Sequence, residues 1–343
     1  MQPQELLAGL YTELGVEVLE RGSSIRNTAV TDANVVLGRL DLDYFLGGRI
    51  RLDPTLAEAA LADLAGRAGM STVDLASSIV EIANENMASA IKMVSLERGH
   101  DPRRFALFGF GGAGPLHAAA VARSLRMPRV LIPMYPGNAS ALGMLLADLR
   151  VDKVWTQAFR SSRVDAALVA RQFAGIREAA EAELREEGFA GTPEVHFSIS
   201  MRYAGQNYEH LVPVSAESMT DTVLQDAFSS FEKIHAERYG YAIEAEEIEL
   251  VAFHVTVTGR RTSTRLVVGD QGGAGNLTTH RPVYFREDGY LPTAIYRRYG
   301  LPAATRLKGP CILEEAGSTT IVEPGMVVEV LPDGQLLIES GVA

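Results

Sequence analysis

The stretch from Arg104 to Pro133, RFALFGFGGAGPLHAAAVARSLRMPRVLIP, constrains the fold more than any other part of the chain. A short apolar run meets a glycine turn. Pro115 then stands where a first-turn residue without an N–H costs nothing, and alanines carry a helix to about Arg126. A second apolar run, RVLIP, and a further helix, ASALGMLLADLR, come next. Strand, helix, strand, helix in this order predicts an α/β layer built on a parallel sheet. The same bend raises a chemical question, because Gly109, Gly111 and Gly114 spell G-x-G-x-x-G, a dinucleotide pattern when an acidic residue follows about 20 positions later.

That acidic residue is missing: no Asp or Glu occurs between Asp101 and Asp148. Arg126 and Arg129 keep an NADP variant open, but the ribose clamp of the common form is absent. What remains is physical. Glycines let a backbone approach a ligand closely, and a helix beginning at Pro115 turns N–H groups and a positive dipole end toward the bend. Gly111, Gly112, Ala113 and Gly114 are therefore candidates for an anion or ribose site. The competing reading is that these glycines only let strand and helix pack closely. His117, one turn into the helix, is either beside the ligand or a packed histidine.

Elsewhere the punctuation is clear. LDPTLAEAALADLAGRAG reads as a helix with Asp53 as N-cap, Pro54 at the first helical position and a glycine stop. The longest helix follows. Ser71 and Asp74 resemble a capping box, and Ala76, Ile79, Ala83, Met87, Ala90, Ile91 and Val94 form one stripe expected in the core. A charged helix around 168–188, strands in VHFSISMRYAG, YEHLVPV and EIELVAFHVTVTG, a loop over 260–280 and an Asp-Gly hairpin signal at 333–334 complete the pass. The expected division is a helical segment over 1–27, an α/β domain over 28–155 and a β-rich domain over 156–343.

Composition excludes several classes. A net charge of -11 argues against a phosphate-backbone binder, so nucleic acid is not expected as a partner. The single cysteine, Cys311, rules out an intrachain disulfide framework and reads as a small buried residue in a reducing cytoplasm. The first 22 residues carry acidic groups where a signal peptide needs a basic start. The charge-free window from Phe105 to Ala122 is broken by Gly-Gly, Pro115 and His117, so no membrane helix is expected. The histidines show no metal spacing.

Other polar residues carry two readings each. Thr31, Asp32 and Asn34 form a polar knot near a cleft, or cap a helix start. Asn84 and Asn86 sit inside the long helix, held by a cleft contact or exposed to solvent. Ser140 begins a helix of small residues, where Ala139, Ala141 and Gly143 would let another helix approach. Arg202, Gln206, Asn207 and Glu209 surround a hairpin turn that can also meet a partner.

Five blocks carry a resemblance: TDANVVLGRLDLDYFLGGRIRLD at 31–53, ERGHDPRRFALFGFGGAGPLHAAAVA at 97–122, PGNASALGMLLADLR at 136–150, RYAGQNYEHLVPV at 202–214 and EEAGSTTIVEPG at 314–325. Together they resemble the C-terminal half of the hydantoinase A and oxoprolinase family. The resemblance implies an actin-like, ribonuclease H-like ATPase layer, here incomplete, followed by a smaller β-rich α+β domain. It makes the glycine bend an adenosine-side loop, with Gly111, Gly112, Ala113, Gly114 and His117 beside the nucleotide. Thr31, Asp32, Asn34, Asn84, Asn86 and Ser140 become possible cleft residues.

The family's chemistry implies ATP and Mg2+, and opening of a small cyclic amide after phosphorylation of its carbonyl oxygen. Partners implied are a complementary chain carrying phosphate loops and a hydantoinase B-type subunit. An acetone-type carboxylase subunit and a non-catalytic assembly subunit are the alternatives. The resemblance also marks a departure, since no Asp-x-Gly-Gly-Thr phosphate loop is present in this sequence. The chain by itself is therefore expected to hydrolyse ATP poorly or not at all, whether it is half of a split subunit, a truncation, or a remnant kept for interactions.

Overall fold

The computed structural model describes residues 29–215, 219–243, 246–261 and 277–341; the helix expected near the N-terminus lies outside them. The chain divides into two units, one formed by Met1–Gly143 with Leu266–Ala343, the other by Met144–Arg265. The spatial division thus differs from the border expected near residue 155. The tail read as the end of a separate β-rich domain returns to the α/β unit.

In the first unit, α1 (Val30–Val36), α2 (Pro54–Ala68) and α3 (Thr72–Leu96) pack around Ala33, Leu37, Leu61, Ala65, Leu75, Ala76 and Val80. Their ends follow local chemistry. The Asp53 carboxylate accepts the Thr55 amide at 2.9 Å, Gly69 closes α2 at φ 66°, and Ser71 Oγ accepts the Asp74 amide at 3.0 Å.

The expected α3 stripe is only half right. Ala76 is buried, but Met87 and Val94 are exposed, as are Met93 and Leu96 beside them. The core under α3 ends near Ala88, so periodicity continues beyond the surface that covers it.

The bend builds as anticipated: β1 (Ala106–Phe108), α4 (Gly114–Ser124) and β2 (Arg129–Ile132), with β1 and β2 parallel. The sheet they begin is mixed, because β2 then pairs antiparallel with β13 (Leu336–Glu339), which continues to β12 (Val327–Val330) and β9 (Arg306–Lys308). Ile338 stands opposite Val130, a pairing about 200 residues apart in sequence that no local pattern announces.

A second sheet has the order β11 (Ser318–Val322), β10 (Cys311–Glu315), β8 (Gly289–Arg297), β7 (Leu277–Phe285). Strand β7 thus begins inside the stretch expected to be loop up to residue 280. Ala118, Ala119, Val121 and Ala122 of α4 share one core with Val130 and Ile132 of the first sheet and with Cys311, Leu313 and Val322 of the second. Alanine is what allows a helix to be buried this closely.

The helix α5 (Ala139–Leu146) is shorter than expected, and β3 (Leu149–Arg160) begins before residue 150. In the second unit, β3, β6 (Ile248–Gly259), β4 (Glu194–Tyr203) and β5 (His210–Val214) form an antiparallel sheet in that order. Helices α6 (Ala166–Glu186) and α7 (Asp221–Tyr239) supply Val169, Phe173, Leu184, Leu224, Phe228 and Phe231 to its core. This unit is the smaller and has α+β composition. Arg202 meets Glu249 at 3.0 Å and Glu209 at 3.8 Å, next to the β4–β5 connection.

Candidate functional site

The four glycines of the bend do different work. A Cβ on Gly109 would lie 2.7 Å from Ile132 Cδ1 and 2.9 Å from Ala118 Cβ, so this is the glycine that close strand-to-helix packing requires. Gly111 has φ 89° and its amide donates to the Pro136 carbonyl at 2.7 Å, so backbone conformation requires it. Gly112 is different: its φ is not left-handed, and an added Cβ would meet nothing nearer than the Gly317 carbonyl at 3.6 Å. Neither conformation nor packing explains a glycine there. At Gly114 an added Cβ would make one ordinary contact, at 3.8 Å.

Gly112 and Ala113 line a cavity of about 260 Å³ together with Thr31, Asp41, Tyr44, Glu314, Glu315 and Ser318. Leu40, Phe45, Leu46 and Leu116 make the rest of its wall largely apolar. A Cβ at Gly137 would strike the Gly317 carbonyl at 2.7 Å, which holds the loop after β2 against the β10–β11 turn. Among the described residues, the amides of Gly112, Ala113 and Gly114 have no acceptor. Ser318 Oγ is buried and unbonded in the same cavity.

Charge in the wall is balanced by burial and pairing. Glu314, 2 % exposed, pairs with Arg281 at 2.9 Å and with Arg297; burial, the largest effect, pushes its carboxyl up, and the arginines oppose that. Arg297 also stacks on the Tyr44 ring, 3.4 Å from its centroid, and reaches Asp41 at 3.5 Å. Asp41 in turn accepts the amides of Asp43 and Tyr44, which sets the turn lining the cavity.

Glu315 makes a fully buried pair with Arg298 at 2.7 Å and accepts the Tyr299 hydroxyl. Burial first, and that bond second, push the Tyr299 hydroxyl up. Arg298 also donates to the carbonyls of Ile132, Pro133 and Gly334, tying both sheets together behind the cavity.

The structure thus brings Thr31, Gly112 and Ala113 together at the cavity, keeps Gly111 and Gly114 beside them in the bend, and places the other expected residues away from it. Asp32 accepts the Ala29 amide at 2.8 Å and caps α1. Asn34 is buried and donates to the Val30 carbonyl at 2.9 Å. Asn86 and Ser140 are exposed.

His117 is buried and does not line the cavity. Its Nδ1 lies 2.8 Å from Asn84 Oδ1, and burial, with a smaller contribution from Arg39, lowers its pKa to about 4. It is a packed neutral histidine. Asn84 borders a different cavity, between α3 and the β7–β8 turn. The sequence reading missed Asp41, Glu314, Glu315 and Ser318. Three of them lie in its EEAGSTT block and Asp41 in its TDANVVLGRLD block, but residue type alone assigns no role there. Among the described residues no group of three or more His, Cys, Asp or Glu is arranged for a metal ion, and no helix is long and apolar enough to cross a membrane.

Residues 14–153 match the hydantoinase/oxoprolinase family, and residues 158–339 match the hydantoinase/oxoprolinase C-terminal domain. The chain belongs to this family. The caprolactamase subunit alpha of Pseudomonas jessenii is 32% identical over 91% of the chain and 46% of its own length. The 5-oxoprolinase 1 of Arabidopsis thaliana is 31% identical over 91% of the chain and 26% of its own length.

The crystal structure of the ATP-dependent caprolactamase from Pseudomonas jessenii superposes with a TM-score of 0.72 at 31% identity, covering 91% of the chain and 47% of that structure. Nucleotide-free acetone carboxylase shares the fold at a TM-score of 0.71 and 21% identity, over 95% of the chain and 48% of that structure. The chain therefore spans about half the length, or less, of the curated relatives it matches. Several of these are named as subunits, among them acetone carboxylase beta and acetophenone carboxylase gamma.

Proposed function

We propose that this chain is part of an ATP-dependent enzyme that opens cyclic amides, with the Gly112–Ala113 bend on the nucleoside side of an actin-like cleft. The observation that carries this reading is Gly112, a glycine unexplained by backbone or packing that lines the cavity with Ala113, in a bend where the amides of Gly112, Ala113 and Gly114 have no acceptor among the described residues. Such amides at the start of a helix suit the oxygens of a nucleotide. Asp41 and Ser318 offer further polar partners in the same cavity, and Thr31 stands at its edge.

ATP, as Mg-ATP, would supply a phosphoryl group to the amide oxygen, converting a poor electrophile into one with a good leaving group for water. The phosphate loops and the water-attack site belong, on this reading, to a complementary chain segment and a hydantoinase B-type subunit. An exposed apolar surface supports a complementary segment: Phe105, Phe108 and Phe110 are each about half exposed along edge strand β1, and Met93, Val94 and Leu96 of α3 are exposed as well. The higher identity to the caprolactamase subunit than to the acetone carboxylase subunit, 32% against 23%, favours hydrolysis over carboxylation.

Co-expression with a family segment bearing Asp-x-Gly-Gly-Thr tests the reading. ATP turnover dependent on a hydantoin or lactam is expected from the pair and not from this chain alone. Gly112→Asp abolishes that turnover by setting a carboxylate against the nucleotide, and unchanged turnover in the variant removes the bend from the site.

A further inference from the structure

A second cavity, of about 330 Å³, lies in the same unit between α3, the end of α4 and the β7–β8 turn. Its depth holds Arg39, and the local sequence explains how. The chain leaves α1 through Gly38 at φ 73°, where a Cβ would strike the Pro282 carbonyl, and the Arg39 amide returns to the Asn34 carbonyl at 2.9 Å. Arg39 is thereby pinned at 8 % exposure.

Its guanidinium is poorly matched. Among the described residues it has no carboxylate within ion-pair distance, its Nε is unbonded, and its one side-chain bond is to the Tyr284 carbonyl at 3.5 Å. A buried cation in that condition is costly unless something else neutralises it.

The remaining charges of the cavity are already engaged or lie at its mouth. Glu323 pairs with Arg123 at 2.7 Å and attracts Arg39 more weakly from beyond ion-pair distance, and Glu81 pairs with Arg286. Glu287 and Asp288, exposed on the β7–β8 turn, have no cationic partner among the described residues. The cavity is thus polarised: within it two cations, Arg39 and Arg123, share the one buried acid Glu323, which lies beyond ion-pair distance of Arg39, and carboxylates without cationic partners among the described residues stand at the opening. A phosphate would satisfy Arg39 but meet the acidic mouth. A molecule carrying a carboxylate at one end and an ammonium at the other satisfies both.

We propose that this cavity binds a small amino-acid zwitterion, its carboxylate on Arg39 and its ammonium toward Glu287 and Asp288. The site is distinct from the glycine-bend cavity, and the proposal does not rest on the catalytic reading.

Isothermal titration of the full chain, without nucleotide, tests it with glutamate and aminohexanoate as probes and hexanoate, hexylamine and inorganic phosphate as comparators. At least one zwitterion is expected to bind more tightly than every comparator. Arg39→Met lowers its affinity by more than about thirtyfold, as for loss of a buried charge contact, and the exposed pair Glu287→Gln with Asp288→Asn lowers it by about two- to fivefold. Arg39→Met also removes a charge that favours the buried Glu323 carboxylate, so a melting curve of the variant accompanies the titration, and the affinity of the exposed mouth variant tests the site without touching the buried charges. Heat from none of the zwitterions, equal or tighter binding of hexanoate or phosphate, or full affinity in the mouth variant overturns the proposal.

Discussion

Gly109 and Gly112 stand three residues apart in one motif, and the structure assigns them opposite roles that a pair of alanine substitutions separates. In Gly109→Ala the new methyl meets Ile132 Cδ1 at 2.7 Å and Ala118 Cβ at 2.9 Å, both in the core shared by the two sheets. Contacts that short force a backbone or rotamer shift, so the expected cost is about 1–3 kcal/mol. At roughly 2–4 °C per kcal/mol for a unit of this size, the melting temperature falls by about 2–12 °C.

In Gly112→Ala the methyl enters open space, and stability changes by less than about 0.5 kcal/mol. The chain provides its own reporter. Cys311, the one cysteine, lies fully buried in the strained core, and burial pushes its thiol up to about 12. The one tryptophan, Trp155, lies in the other unit. Thiol labelling of Cys311 under partly denaturing conditions is expected to accelerate in Gly109→Ala and to match the parent in Gly112→Ala, with Trp155 fluorescence as a record of the second unit. Equal labelling of parent and Gly109→Ala, or equal acceleration in both variants, refutes the division of roles.

Other outcomes follow from the same geometry. Glu315→Gln leaves Arg298 buried without its carboxylate at 2.7 Å and is expected to cost about 3–5 kcal/mol in denaturant unfolding; a loss under about 1 kcal/mol contradicts that account. His117, held below its ordinary value of 6.5 at about 4, binds its proton more tightly in the unfolded chain. Its contribution, on the order of 3 kcal/mol, is therefore complete above about pH 6.5 and drains away as pH falls from there toward 4. His117→Gln flattens unfolding free energy against pH across that window, and His210 and His254, lowered in the same direction, account for slope that remains. Phe108→Glu on the edge strand leaves this chain folded, because the side chain is half exposed, and weakens its co-purification with a complementary segment.

Much of the local structure is legible in the residues themselves. The Asp53 and Ser71 caps, the strand-bend-helix around Gly111 and the hairpin at Asp333–Gly334, where Gly334 has φ 77°, all form where the chain's own chemistry places them. Each depends on hydrogen bonds or dihedral freedom within a few residues, so a short window contains the cause. Cys311 as a buried residue is legible for a similar reason, since side-chain type sets its preference.

Tertiary structure alone decided the rest. It paired β2 with β13 and so returned the tail to the α/β unit; it buried Arg39 with no carboxylate in ion-pair reach among the described residues; and it set Glu314, Glu315 and Ser318 beside Gly112. It also chose Gly109 for packing and left Gly112 to the cavity, although the motif presents them alike. These outcomes depend on surfaces brought together from positions far apart in the chain. Hydrogen-bonded pairing and steric closure at that range act on atoms that are neighbours only after folding, and a linear pattern carries no record of them.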